Sequence, residues 1–313
     1  MTDVREFLRQ SAFVAGETQT LISRVSEASL FAKVAAINAC NGNPFQPSLV
    51  WHPSIFGSLM QLNLREKVSQ EIFLTGAFEP DVLWLLSCLV DEGSIAVDCG
   101  AHIGFFTLAL SKLVGASGRV EAFEPTASSK ACLDTNLCNA GVANVKAHQL
   151  AVWSESCILD FYDYGAELSA FNSVGAPRLG GGATSPNASL VRVPAVALDT
   201  FFETANLAPG FIKLDVENSE YFVLTGLKRT LSAVRPLLVV EVGDVVGDQK
   251  SAVSSTFDML KILTDHAYSV FSIKACRLSA LDIAPNIVYE YGNALAVPSE
   301  RVNEILERTA GQS

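Results

Sequence analysis

Five carboxylates stand where apolar runs stop. Asp98 lies near the end of IAVDCG, Glu124 of RVEAFEP and Glu241 of PLLVVEVG, while Asp215 and Glu217 close FIKLDVE. An acid at the rim of a buried strand is held rigidly, and there it can grip a hydroxyl or take a proton. Asp98 opens a D-x-G-x-x-x-G pattern through Gly100 and Gly104, and a helical pattern, FFTLALSKLVG, follows at once. Gly100 allows the backbone to turn sharply and to approach a ligand closely. A helix starting near Ile103 would aim free N–H groups at an anion. The spacing is not G-x-G-x-x-G, so no cradle for a pyrophosphate is present and a nicotinamide-dependent dehydrogenase is disfavoured. Glu124 falls 24 residues after Gly100. A carboxylate at that point accepts hydrogen bonds from both ribose hydroxyls and repels a 2′-phosphate. Together these residues describe a pocket for a nucleoside with a small anionic end, and S-adenosylmethionine fits that description.

The elements that would position these groups alternate. Strands IAVDCG, RVEAFEP, VKAHQLAV, FIKLDVE and PLLVVEVG are separated by helical stretches such as FFTLALSKLVG, ASSKACLDTNLCNAG and YFVLTGLKRTLSAV. Apolar strands alternating with helices predict an α/β fold with a mostly parallel sheet and helices on both faces. The tail adds the helix STFDMLKILTDH and the strands YSVFSI and ALAVP. Residues 1 to about 40 carry helical spacing, NGNPFQP closes them, and residues 55–75 alternate loosely and predict a hairpin. The reading is an N-terminal helical extension over 1–54 and one domain over 55–313. Residues 162–192, rich in Gly, Ser and Pro, form a loop insertion within that domain, either a lid or a disordered segment. In an open α/β sheet the ligand lies beyond the carboxyl ends of the strands, where strand order reverses.

The 313 residues carry a net charge of −11, which argues against a nucleic-acid partner and against docking on anionic lipid. No apolar run is long enough to span a bilayer, and MTDVREFLRQ lacks the apolar centre of a signal peptide. The seven cysteines are scattered without a C-x-x-C pair and are expected as reduced thiols, which places the chain in the cytoplasm. Oligomeric state is open, a homo-oligomer included.

The motifs resemble those of the FkbM methyltransferases, a family with a Rossmann-like fold. Gly76-Ala77-Phe78-Glu79-Pro80 resembles the family's G-x-(Y/F)-E-P, VDCGAHIGFFT its V-D-x-G-A-N-x-G-x-x-T, and AFEP at 122–125 its second-strand motif. VRVPAVALDTFF resembles its V-x-(T/L)-L-D stretch, and IKLDVENSEYFVLTGL its I-K-x-D-x-E-G-x-E-x-x-V-L-x-G. The resemblance covers about residues 55–300 and implies a seven-stranded sheet. It departs at His102 (usually Asn), at Asn218 (usually Gly) and after Glu241, where the family often has His.

The resemblance implies S-adenosylmethionine as methyl donor and a hydroxyl of a glycan or secondary metabolite as acceptor. Asp98, Gly100, Ala101, His102, Gly104 and Thr107 would hold its methionine end, Glu124 and Pro125 the ribose, and Ala151, Val152 and Trp153 the adenine. Asp215 would reach the cofactor from the other side of the switch point. Asp215, Glu217 and Glu241 are the expected catalytic group, with Asp215 or Glu217 accepting the acceptor's proton. The same acids could instead hold a divalent metal; no metal is assigned. N-methylation of a peptide side chain and nucleoside binding without catalysis are the competing functions. Lys213 reads as a sheet-end residue paired with Glu217 or Glu241, Asp199 as a helix N-cap, and His52, His148 and His266 as structural or solvated.

Overall fold

The computed structural model describes residues 27–43, 45–165, 174, 189–244 and 256–310. Its centre is an eight-stranded sheet in the order Arg277–Ala280, Tyr268–Lys274, Gly292–Pro298, Leu237–Val242, Phe211–Leu214, Ile95–Cys99, Arg119–Phe123, Val145–His148. The five strands from Leu237–Val242 to Val145–His148 run parallel, and Gly292–Pro298 runs against its neighbours. The extra strand beyond the expected seven is Arg277–Ala280, a hairpin partner of Tyr268–Lys274 at the sheet edge.

Every residue of Phe211–Leu214 and Leu237–Val242 is buried. The reason is that alternate side chains serve different faces. Ala96, Phe211 and Val239 pack with the helices Pro80–Leu89, Phe105–Val114 and Ala127–Ala140. Val97, Ile212, Leu238 and Val240 pack with Leu198–Ala205, Glu220–Thr225, Lys228–Ala233 and Thr256–Asp265. Two cores on two faces leave the strand ends, with their acids, as the accessible rim.

Several elements depart from the sequence reading. VKAHQLAV is two strands: Val145–His148 stays in the central sheet, while Ala151–Trp153 joins Ser189–Ala197 and Cys157–Asp163 in a separate three-stranded sheet. The predicted loop 162–192 is therefore shorter, because Asp163 pairs with Ser189; apart from Tyr164, Gly165 and Val174 its remainder lies outside the described residues. The N-terminal hairpin pairs Leu49–Pro53 with Leu59–Asn63, so it crosses the expected boundary between 54 and 55. Residues 67–75, expected as its second strand, are helical. The Glu66 carboxylate caps this helix, accepting from the N–H groups of Val68 and Ser69 at 2.7 Å each. The stretch YFVLTGLKRTLSAV divides at Gly226, where a Cβ would stand 2.5 Å from the Trp153 carbonyl oxygen. Asp199 caps not its own helix but Lys228–Ala233, accepting from the N–H groups of Arg229 and Thr230. Among the described residues no single helix is long and apolar enough to cross a membrane, and all seven cysteines are free.

Candidate active site

Strand order reverses between Ile95–Cys99 and Phe211–Leu214, and the two strand ends meet there. Gly100 has φ +81°, and a Cβ on it would lie 1.8 Å from the Asp215 carbonyl oxygen. The glycine is thus required by the approach of two backbones. The Asp215 N–H completes the junction by donating to the Cys99 carbonyl at 3.2 Å. Beneath this turn Asp98 is buried, and its Oδ2 accepts from the Thr107 hydroxyl at 2.6 Å. Its Oδ1 has no partner among the described residues. Burial pushes the Asp98 carboxyl above the usual range, against the pull of the Lys213 charge and the Thr107 hydrogen bond.

Glu124 is nearly sealed as well. Its Oε1 accepts from the Thr126 N–H at 3.0 Å and hydroxyl at 2.6 Å, and its Oε2 from the His102 N–H at 3.0 Å. Burial raises its pKa, opposed by those same hydrogen bonds. His102 stands at φ +48° and Asn218 at φ +70°. Both departures from the family motif therefore fall at left-handed positions, where Asn, His and Gly are the residue types that sit with least strain. Beyond Glu124, Leu150, Ala151, Val152, Trp153 and Phe161 make an apolar wall, with Trp153 stacked on Phe222 at 4.1 Å. A carboxylate beside a planar apolar wall fits the ribose and base of a nucleoside.

The opposite wall is acidic. Lys213 is 1% exposed, and its ammonium donates to Asp215 Oδ2 at 2.8 Å and lies 4.7 Å from the Phe106 ring centre. The expected partners were Glu217 or Glu241; the nearer acid is on the same strand end, two residues on. Burial alone would lower the Lys213 pKa, but Asp215, Asp98 and Glu79 together raise it, so it stays charged. Glu79 was not singled out among the expected site residues. It precedes Pro80, sits at φ +44°, and its Oε1 accepts from the Asn293 side chain at 3.0 Å. As a residue Glu79 is half-buried, but its Oε2 is sealed and has no partner among the described residues. Burial first, and then the Asp215 charge, push its pKa to about 7. Glu241 accepts a hydrogen bond from the Tyr291 hydroxyl. Gly243 packs directly against Tyr291, whose Cα would lie 2.9 Å from a Cβ on the glycine. Asp215, Glu220 and Glu241 each bring a carboxylate oxygen within 4.8 Å of the others; the third acid is Glu220, where the sequence suggested Glu217.

One cavity of about 360 Å³ joins the two walls. Of the expected residues, Gly100, Ala101, His102, Glu124, Pro125, Ala151, Val152, Trp153, Asp215, Glu217 and Glu241 line it. Asp98, Gly104 and Thr107 lie behind the wall. Lys67, Val68, Glu71, Phe78, Glu79 and Tyr291 line it without having been expected. The signals for both acids are present, since Glu79 lies within the Gly76-Ala77-Phe78-Glu79-Pro80 segment and Glu71 just before it, but the helix Lys67–Thr75, expected as a strand, hides the second.

Residues 98–270 match the family model described as methyltransferase FkbM domain. A curated relative from Streptomyces tacrolimicus, 31-O-demethyl-FK506 methyltransferase FkbM, is 28% identical over 200 residues, which is 57% of this chain and 74% of that one. Among solved structures, methyltransferase FkbM from Methylobacillus flagellatus is 15% identical with a TM-score of 0.40, over 86% of this chain and 60% of that chain. Fibrillarin from Aeropyrum pernix with natively bound S-adenosyl-L-methionine is 12% identical with a TM-score of 0.38, over 66% and 68% of the two chains.

Proposed function

We propose an oxygen atom as the methyl acceptor of this chain, which belongs to the FkbM methyltransferase domain family and is an S-adenosylmethionine-dependent methyltransferase. The acceptor is a small molecule carrying a hydroxyl, on a glycan or a secondary metabolite. The observation that carries this reading is the charge of the acceptor wall. Glu71, Glu79, Asp215, Glu217 and Glu241 line it, and its buried cation, Lys213, is held by Asp215. Such a wall repels phosphate and carboxylate groups and offers acceptors to hydroxyls. The Streptomyces relative, named for a 31-O-demethyl substrate, supports the oxygen by analogy.

When bound, the cofactor supplies a methyl group on a positively charged sulfur. The residues assigned to hold it are Glu124 at the ribose, the Gly100–His102 backbone with Asp98 beneath it at the methionine end, and Ala151–Trp153 at the base. Gly104 and Thr107 support that turn from behind. Asp215 is the proton acceptor: Lys213 fixes its Oδ2 and its side chain faces the cavity, 21% exposed. Glu217 and Glu241 orient the acceptor so that its oxygen meets the methyl carbon in line with the departing sulfur.

Calorimetric titration with S-adenosylmethionine and separately with NAD tests the first half. Binding of S-adenosylmethionine alone, lost in Glu124→Ala, is expected; binding of neither removes the assignment of this cavity. Methyl transfer to a panel of polyols, macrolides and peptides tests the second. Asp215→Asn is expected to lower turnover at least a hundredfold with cofactor affinity changed less than threefold. Transfer to peptide amides and to no hydroxyl would replace the oxygen with nitrogen, and activity lost with a chelator would put a metal on the acids.

A further inference from the structure

The hairpin of Leu49–Pro53 and Leu59–Asn63 has two edges, and they are finished differently. Just beyond its ends the Leu64 N–H donates to the Ser48 carbonyl and the Ser54 N–H to the Ser58 carbonyl, both at 2.8 Å. Bonded and unbonded pairs alternate along an antiparallel ladder. Val50 with Leu62 and His52 with Met60 are therefore the bonded pairs, and the main-chain groups of Leu49, Trp51, Leu59 and Gln61 point outward. On the Leu59–Asn63 edge these groups are met. The Gln61 N–H donates to the Asn136 side-chain oxygen and the Asn139 amide to the Leu59 carbonyl, each at 2.6 Å. On the Leu49–Pro53 edge, the N–H and carbonyl of Leu49 and of Trp51 have no partner among the described residues.

Edge strands are commonly guarded by a charged side chain that keeps other strands away. This edge has none. Residues 34–64 contain no Asp, Glu, Lys or Arg, in a chain that is 18% charged and carries a net charge of −11. The face beside the edge is apolar as well. Leu49 is 58% and Trp51 47% exposed, and exposed Leu59 stands opposite Pro53 on the same face.

We propose that Leu49–Pro53 pairs with the same strand of a second copy, joining the two hairpins into one continuous sheet across a two-fold axis. Charge selects this occupant: two chains of like net charge meet with least repulsion where neither carries any. Geometry selects it too, because a strand pairing with its own copy about a two-fold axis runs antiparallel and is self-complementary. With Val50 on the axis, Leu49 stands opposite the partner's Trp51. Each such pair exchanges both of its N–H to carbonyl bonds, so all the open groups of Leu49 and Trp51 are used in both copies. Pro47 then faces the partner's Pro53. Neither has an N–H to donate, so the ladder stops at both ends. The same register lays each exposed Leu49 side chain against the partner's Trp51 ring, as a cross-strand pair. The pairing lies outside the cavity and is independent of the cofactor and acceptor assigned above.

Sedimentation velocity of the full chain from about 1 to about 100 µM tests this, with a dimer expected at about 10 µM. Leu49→Lys combined with Trp51→Lys sets like charges opposite each other and should raise the dimer dissociation constant roughly a hundredfold. A dimer that survives this double substitution is held by another face and overturns the proposal. A monomer across the whole range overturns it as well. In that monomer, slow hydrogen exchange at the Leu49 and Trp51 amides would put another segment of this chain on the edge, and fast exchange would leave the edge to water. Should the double variant fail to fold, Val50→Cys decides. Val50 on the axis forms an unbonded pair with its copy, at a Cα separation of about 4.5 Å that a disulfide can bridge. Mild oxidation should link the Val50→Cys chains into a dimer on a non-reducing gel, where the native chain with its free cysteines gives none. No cross-link overturns the pairing.

Discussion

The two walls of the cavity are built on opposite principles. On the nucleoside side the carboxylate that lines the cavity is met at both oxygens. Glu124 takes three hydrogen bonds from residues within its own turn or the one beside it, and Gly100 is locked by backbone contact. On the acceptor side, Glu79, Lys213, Asp215, Glu241 and Tyr291 come from four separate segments. They gather like charges around one ammonium and leave an oxygen bare. The first wall is a mould, rigid because Glu124 is hydrogen-bonded at both oxygens and the Gly100 turn is fixed by backbone contact. The second gathers ionisable groups around one ammonium, a pattern common at sites of proton transfer.

If that contrast holds, substitutions in the two walls should change stability in opposite directions. Gly100→Ala should be the most damaging. Its Cβ would overlap the Asp215 carbonyl at a positive φ, which combines overpacking and left-handed strain into a loss of roughly 4 kcal/mol. An unfolding free energy from urea titration within about 1 kcal/mol of the wild type would mean the turn is not packed as described.

Glu79→Gln should do the reverse. The folded pKa of about 7 stands above the reference 4.5. Below 4.5 both states are protonated and Glu79 has no effect. Between the two values the unfolded chain loses its proton while the folded one keeps it, so stability falls with rising pH. Above about 7 the penalty is complete, at about 3 kcal/mol. Replacing Glu79 by Gln should therefore stabilise the protein at about pH 8 by that order and leave it unchanged at about pH 4. Equal urea midpoints at both values would place Glu79 with the saturated groups and dissolve the contrast between the walls.

The same contrast explains what was legible from sequence. The nucleoside wall is local: the Asp98–Gly104 turn is one continuous stretch, and Glu124 ends the next strand, so spacing alone announces them. The parallel sheet was equally plain, because strands buried on both faces read as unbroken apolar runs. The acceptor wall is assembled by sheet order. Asn293 reaches Glu79 across 214 positions, and no periodicity encodes that meeting. Lys213 pairs with Asp215, two residues on, because alternation along an extended chain puts i and i+2 on one side. Glu220 joins Asp215 because Glu217 and Asn218 both turn left-handed, which swings the chain round before the helix Glu220–Thr225 begins. VKAHQLAV carries no signal that divides it, since its two halves are equally good strands and only their partners differ.

The smallest effect tests the mould from beneath. Thr107→Val removes the donor at 2.6 Å from Asp98 Oδ2 and keeps the volume of the side chain. Asp98 would then have neither oxygen met, since Oδ1 is already without a partner. A buried acceptor left unmet costs about 2 kcal/mol. The Thr107 hydroxyl lowers the Asp98 pKa, so its removal pushes that already raised value higher still. The folded state then holds its proton over a wider range than the unfolded state, and the loss of stability must grow as pH rises. That slope has the same sign as the Glu79 penalty, but the substitution deepens it, whereas Glu79→Gln abolishes one. Urea midpoints at about pH 5 and about pH 8 separate the cases. A Thr107→Val protein whose deficit shrinks with pH would show that Asp98 is ionised by a partner other than the hydroxyl, and would move it from the mould to the acidic cluster around Lys213.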